Sequence, residues 1–536
     1  MSFYFALQYS AIQKTVMRHD RLWSMAGISQ ILSQINEIDL PSTVRLLGGK
    51  PLVAGGGKFT AQFSDQASVE FARQEMIKIV STRLPMLEFQ ISNIVEANGL
   101  QAAKKKLIDS LNTEKRRFRG YGVTYNPILQ PCDECGEYPG TMKQFVGSDQ
   151  KEDQLCRICS MSVDQRLRPK KIRQESPDKL TSIEKIYRQY LETVDPKQMV
   201  AEVEIAADFT NLFKEPIKGN SDNSERQRMA TWFSDANNMN VKVPIWLSQT
   251  DDEIPDIFRE LTKAYIDITA KTLSAIFKKD DWNKYADGKH YLPFRLIIAG
   301  GDDLCIVMPE KYVLNFAITL SRSFNAQVKL FEGINWFSTL WLKEHAEQKN
   351  NKPVREPGSF SFGGAFLITP LHTPFRMIHE QGESLMSQAK KDTDRKANSI
   401  NWQLLNADPR INNDVFLKFE KPIFIDELPE NDIPEKVKGR LTFDAYLRLR
   451  SRYSTGESRL SNSQIKTIAN ILQRSHTPDE AEDRLMLAAG AGLEKGLKYV
   501  LADLSFRTCD GKDRKLIPAR IATLLELLTI AERGEK

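Results

Sequence analysis

Residues 295–308, RLIIAGGDDLCIVM, limit what this chain can fold into more than any other stretch. An apolar run ends at Ile298, the link Gly300-Gly301-Asp302-Asp303 follows, and a second apolar run continues from Leu304 to Met308. Two such runs around a glycine-rich link read as a β-hairpin, because glycine supplies the positive φ that a tight turn demands. Two carboxylates at the tip of a stiff hairpin are costly as core. Side by side, Asp302 and Asp303 are suited to hold a hard cation through oxygen.

A related hairpin lies near the N-terminus. Residues 51–63, PLVAGGGKFTAQF, carry Gly55-Gly56-Gly57-Lys58 at the turn. A strand at 3–8 and a helix at 11–36 precede it, and a helix at 67–83 and a strand at 87–94 follow. Strand, helix, hairpin, helix, strand is the order of a ferredoxin-like sheet with helices on one face. Around Asp302 the order recurs. There the pattern predicts a helix at 254–279, one at 311–324, a strand near 327–331, a strand at 360–368 and a helix ending at Ala389-Lys390-Lys391. The chain is thus an α+β protein with an approximate internal repeat. Gly57-Lys58 stands where the second copy has Asp302-Asp303, and a lysine can meet a phosphate but cannot ligate Mg²⁺. The first copy therefore reads as non-catalytic, with Gly55, Gly56 and Lys58 as nucleotide contacts.

Between the copies, Cys132-Asp-Glu-Cys135 and Cys156-Arg-Ile-Cys159 form two CxxC knuckles. Four thiolates can close a tetrahedral Zn²⁺ shell with no open position, so this zinc is expected to be structural. Residues 166–198 read as a helical connector, and everything from about 430 onward as a helical bundle. The net charge of +5 over 536 residues does not announce a nucleic-acid binder. Two basic clusters, at 104–119 and 166–173, are the local exceptions. No apolar run reaches membrane-spanning length and no signal-peptide pattern opens the chain, so a cytoplasmic protein is expected.

A strand over 199–207 ends at Asp208, where its acid can face a neighbouring hairpin tip. Asp208, Asp302-Asp303 and Lys390 then suit one chemistry. Joining nucleotides requires a ribose hydroxyl to attack an α-phosphate, which two Mg²⁺ ions (or Mn²⁺) held by carboxylates assist. A lysine grips the triphosphate as a point charge.

These parts resemble the large subunit of type III CRISPR effector complexes, the double-Palm family that makes cyclic oligoadenylates. The resemblance rests on Asp208-Phe-Thr-Asn211-Leu212, Ala299-Gly-Gly-Asp-Asp303-Leu, Ser361-x-Gly363 followed by His372-x-Pro374, and Ala389-Lys390. It covers essentially the whole chain. It implies two nucleotidyl-cyclase-like Palm domains (1–130 and 199–428), a zinc module (131–165), the connector (166–198) and a C-terminal helical domain (429–536). It further implies that ATP is the substrate, one molecule on each Palm, with catalysis on the second. Asp208, Asp302 and Asp303 would be the metal ligands, and Gly300, Gly301, Asn211, Ser361, Gly363 and Lys390 nucleotide contacts. The implied partners are a guide-RNA ribonucleoprotein, target RNA, a repeat-tag-binding subunit and small helical subunits.

Two departures matter. Many members carry DxD where this chain has Asp208-Phe-Thr210, so the pair's second acid is missing. Many also begin with an HD nuclease, whereas His19 is the one histidine here before His290. No DNase activity is expected, and His19 reads as an ordinary helix residue. A catalytically silent architectural subunit and a free-standing diguanylate-cyclase-like enzyme are the competing readings. Intact Asp302-Asp303 opposes the first, and two copies per chain oppose the second.

Overall fold

The computed structural model describes residues 1–116, 130–146, 152–197, 203–213, 227–239, 250–332, 361–405, 423–425, 441–454, 460–490 and 517–530, apart from positions 11, 18, 20, 86, 166, 286, 287, 301, 372, 396, 476 and 477. Gly301, His372, Arg166, Cys509 and the part of the first basic cluster beyond Arg116 lie outside the described residues. The fold is mixed α+β.

In the first sheet, β1 (Ser2–Tyr9) is central. It pairs antiparallel with β3 (Lys58–Phe63) on one side and with β4 (Phe89–Ile91) and β5 (Val95–Ala97) on the other. β2 (Lys50–Gly55) flanks β3, giving the order β2-β3-β1-β4. One helix is expected over 11–36, but the chain forms α1 (Ile12–Val16) and α2 (Leu22–Ser33), with His19 between them. A π-helical stretch Gln34–Asp39 and then α3 (Leu40–Leu46) continue from α2. α4 (Gln66–Arg83) starts where the Asp65 carboxylate accepts from the Ser68 N–H at 2.8 Å, a local N-cap that fixes the helix start. α5 (Leu100–Arg116) follows β5.

The cysteine segment folds as a ribbon, β6 (Met142–Phe145) and β7 (Glu152–Leu155), followed by α6 (Arg157–Asp164). α7 (Pro169–Gln174) and α8 (Ser182–Val194) lead on, α8 opening on a Thr181/Glu184 capping box.

In the second sheet, the central strand is β9 (Arg228–Ala236), which the sequence reading did not assign. Of the strand expected over 199–207, residues 199–202 lie outside the described residues, and Val203–Glu204 form β8, paired with β11 (His290–Tyr291), itself beside β10 (Asn283–Lys284), in a small separate sheet. After β9 come α9 (Glu253–Ile276), the hairpin β12 (Arg295–Gly300) and β13 (Asp303–Pro309), and α10 (Val313–Glu332). α10 absorbs the strand expected at 327–331; a short apolar run cannot distinguish strand from helix by periodicity. β14 (Phe362–Pro370), α11 (Phe375–Asp392), β15 (Ser399–Leu404) and β16 (Ile423–Phe424) complete the order β12-β13-β9-β14-β15-β16. Its first four strands repeat the order of the first sheet.

The two sheets lean on each other reciprocally: α2 packs on β12, and α9 packs on β2. One apolar core joins Met25 and Ile28 of the first unit to Ile297, Val307 and Leu367 of the second. Both hairpins carry a register shift in their first strand, between Pro51 and Val53 and between Leu296 and Ile298. The tail contributes α12 (Phe443–Ser454), α13 (Asn462–Arg474), α14 (Pro478–Gly490) and α15 (Ile517–Thr529). It docks on β15, where Trp402 Nε1 donates to the buried Glu526 carboxylate at 2.8 Å. Among the described residues no helix is long and apolar enough to cross a membrane.

Candidate active site and metal centre

One transverse row of the second sheet builds the site. Gly300 pairs with Asp303, Asp303 with Asp235 of β9, and Asp235 with Gly363 of β14. Asp302 sits at the hairpin turn beside them, and its carboxyl hydrogen-bonds that of Asp235. Burial is the main force raising Asp302, with Asp235 and Asp303 adding repulsion. Burial likewise pushes Asp303 up to about 7, with further contributions from Asp235 and Glu383, while Lys390 opposes. Three mutually repelling carboxylates in a half-buried cluster are a site short of positive charge.

Lys390 supplies one such charge. It is 4% exposed, ion-pairs with Asp235, and its Nζ donates to the Ala236 carbonyl at 3.3 Å. Its stem runs across β14, where a Cβ on Gly363 would lie 2.3 Å from Lys390 Cγ, so glycine is required by close approach. Ser361 stands next to this row: its Oγ accepts from Asn237 Nδ2 at 2.9 Å and its carbonyl accepts from the Asn237 N–H at 2.7 Å.

Asp208 is elsewhere. It precedes the 3₁₀ turn Phe209–Leu212, its N–H donates to Asn211 Oδ1 at 3.1 Å, and its charge acts on Arg21 of the first unit. Asp208 is the acid expected at the hairpin tip; the strand that pairs with β13 is β9 and not β8, and it sets Asp235 opposite Asp303. The repeat itself carried the missing signal. In the first copy the strand before the long helix is the hairpin's partner, and the matching strand in the second copy is 228–236.

The first hairpin shows what the site looks like without acids. Gly55 pairs with Lys58 as Gly300 pairs with Asp303, and Lys58 pairs with Gln8 as Asp303 pairs with Asp235. Gln8, Gly57 and Lys58 therefore occupy the positions of Asp235, Asp302 and Asp303. The turn uses Gly56 at φ 55° and Gly57 at φ 73°, a left-handed pair that side chains resist.

A cavity of about 640 Å³ opens between the two turns, lined by Gly55, Gly56 and Gly57 on one side and Ala299, Gly300 and Asp303 on the other. That volume is within the ordinary range of small-molecule sites. α1 and α2 wall it, with the π-helical Asn36. Asn36 is 8% exposed and its Oδ1 has no hydrogen-bond partner among the described residues, a cost that a donor on a bound molecule would relieve. Sequence reasoning missed Asn36, since a π-helical turn shifts which face a residue occupies.

The four sulfurs of Cys132, Cys135, Cys156 and Cys159 all lie within 4.8 Å of one another, and none of these cysteines is in a disulfide. Zn–S bonds of about 2.3 Å in a tetrahedron fit such a cluster, so these residues suit zinc. His19, expected to be ordinary, is 1% exposed and faces Cys159.

The raised acids give a pH signature. An open-chain Asp titrates near ~3.9, so an acid held near 7 penalises the fold increasingly as pH rises between those values. In metal-free buffer Asp303→Asn is therefore expected to melt above wild type at pH ~8.5, the gap closing towards pH ~5. Thermal unfolding across that range checks it; a gap that stays constant contradicts it.

No family model matches the sequence, and no curated protein matches it. Solved structures do. The Csm1–Csm4 cassette in complex with cA4 matches with a TM-score of 0.51 at 14% identity, over 99% of this chain and 70% of that one. The cassette with pppApApA gives 0.51 at 13%, over 98% and 69%, and that with one ATP gives 0.50 at 13%, over 99% and 70%. This chain is thus similar in fold to Csm1 over nearly its whole length.

Proposed function

We propose that this protein is the large subunit of a type III RNA-guided effector complex and that, on target-RNA binding, it converts ATP to cyclic oligoadenylates at the Asp235–Asp302–Asp303 cluster. The observation that carries this reading is the row Gly300–Asp303–Asp235–Gly363, which aligns acids from two strands beside a cavity shared with an acid-free twin. The fold likeness to Csm1 chains solved with ATP, pppApApA and cA4 supports it. So does the match of the two sheets' strand order to a double Palm.

Bound Mg²⁺ or Mn²⁺ would lower the attacking hydroxyl's pKa and neutralise charge on the leaving pyrophosphate. Asp235, Asp302 and Asp303 are the residues that would hold it. The raised affinity of Asp302 and Asp303 for protons in the metal-free fold is the demand for a cation that such ions satisfy. Lys390 offers positive charge to phosphate oxygens beside Asp235, and Ser361 and Gly363 shape the strand under it. The first hairpin, with backbone exposed at Gly55 and Gly56, holds the acceptor or donor nucleotide across the cavity without chemistry of its own. The partners are a guide-RNA ribonucleoprotein, small helical subunits and a repeat-tag-binding subunit, and the Csm1 chains of like fold are solved as cassettes with Csm4.

Asn36 gives the base preference a physical basis. Its Oδ1 accepts from the exocyclic amine of adenine, where guanine presents a carbonyl oxygen and two acceptors would repel. Asn36→Leu is expected to raise the KM for ATP about tenfold, the value of one hydrogen bond in a buried site, and to narrow the preference over GTP. Steady-state kinetics with both nucleotides test it; an unchanged ratio assigns the base elsewhere.

The function itself is tested by mass spectrometry of products from the assembled complex with ATP, Mg²⁺ and target RNA. Cyclic oligoadenylates are expected. No oligomeric product would leave an architectural subunit, and a product from GTP alone would leave a diguanylate-cyclase-like enzyme.

A further inference from the structure

We propose that His19 is an outer-sphere partner of the zinc centre, its Nδ1–H donating to the metal-bound Cys159 thiolate, and that through this bond the metal braces α1 against the cavity. The cavity is the one read above as a nucleotide site; the brace stands whether or not nucleotides occupy it.

His19 Nδ1 lies 3.9 Å from Cys159 Sγ and 3.8 Å from Glu134 Oε1. Only the sulfur is within hydrogen-bond reach, and once the thiol has lost its proton to a metal it is an acceptor, so the contact calls for the tautomer with hydrogen on Nδ1. His19 and Cys159 are 1% and 0% exposed, so water does not compete for this contact. A hydrogen bond to a zinc-bound thiolate draws charge off sulfur and fixes the ligand's orientation, as outer-shell partners of metal sites do.

The contact crosses a boundary. Cys159 is in α6 of the cysteine module, whereas His19 follows α1, which lines the cavity with Ile12, Gln13 and Val16. Around it the two parts are fitted closely. Arg21 reaches Glu134 at 3.2 Å and Asp153 at 2.5 Å, and a Cβ on Gly27 of α2 would lie 2.3 Å from the Ser162 carbonyl of α6. α1 has five residues, too few to be ordered without tertiary contacts, and its Val16 packs in the same core as Cys159. That packing and the contact of His19, three residues past its C-terminal end, together set its position.

The test compares full-length wild type with His19→Ala and His19→Asn, the latter offering an amide N–H at similar reach. Zinc transfer to a colorimetric chelator is expected to be about 10- to 100-fold faster in His19→Ala and partly restored in His19→Asn. In cobalt-substituted protein, the thiolate-to-metal charge-transfer band is expected to shift in His19→Ala while keeping the intensity of four sulfur ligands. Hydrogen exchange over residues 12–17 is expected to rise on zinc removal and equally in His19→Ala. Wild-type release rates with an unshifted band overturn the outer-sphere bond, and unchanged exchange over 12–17 overturns the brace. A band intensity that falls in His19→Ala would make His19 a direct ligand and also overturn the proposal. None of these readings depends on nucleotide turnover, so their failure is separable from failure of the proposed activity.

Discussion

Asp235→Asn is expected to remove oligoadenylate synthesis as completely as Asp302→Ala with Asp303→Ala, by about 10³-fold or more, while Asp208→Asn stays close to wild type. The register decides this. Asp235 faces Asp303 across adjacent strands and Asp302 sits at the turn beside them, so a cation held at the hairpin tip would draw on acids from both strands. Asp208 caps a turn whose electrostatic partner is Arg21 in the other half of the molecule. Asparagine at 235 keeps the shape and removes the charge, and Lys390 is left buried without its anion. That loss is expected to lower the melting temperature modestly, so a soluble protein that melts near wild type but makes no product is the informative outcome. Initial rates for wild type and the three variants, each assembled into the complex in the same way, check it. Full activity in Asp235→Asn with loss in Asp208→Asn would reverse the assignment.

Removing the zinc is expected to have the largest effect on stability. The cysteine module pairs only four residues in each strand of its ribbon, too little for an independent core. Its buried residues Cys132, Leu155 and Cys159 pack with Met25 and Ile28 of α2 in one core, and Ile297 of the β12–β13 hairpin belongs to the same core. Cys132→Ser with Cys135→Ser is expected to abolish metal binding and cost several kcal/mol, on the order of what structural zinc contributes to small domains. Because α2 packs on β12, the damage is expected to reach the site, seen as a rise in KM along with the fall in melting temperature. Metal analysis of the wild type finding well under one zinc per chain, or a double variant that melts like wild type, contradicts this.

Legibility in the sequence followed the range of the interaction. The hairpins, their glycines and the CxxC spacing are local, and each was readable from a few adjacent residues. The Ser361-x-Gly363 strand and Lys390 were found by motif, and the sheet brings them beside Asp235. What failed was pairing. Both Asp208 and Asp235 follow apolar stretches, and only the ladder between β9 and β13 tells them apart. The strand MATWFSDA also hides its pattern: Met229 to Ser234 are buried without alternation because both faces of the sheet are covered. Asn36 and His19 were invisible for a related reason. The single helix expected over 11–36 is interrupted near His19 and then underwound into a π turn, so residues that a regular helix would place on one face land on a cavity wall and a cysteine cluster instead.

The most direct test of the account is a crystal structure with Mn²⁺ and a non-hydrolysable ATP analogue, read by the metal's anomalous signal. The account predicts peaks within bonding distance of Asp235, Asp302 and Asp303, with a triphosphate alongside Lys390 and no metal at Gln8, Gly57 or Lys58. Manganese bound at Asp208 instead, or at the first hairpin, would contradict it.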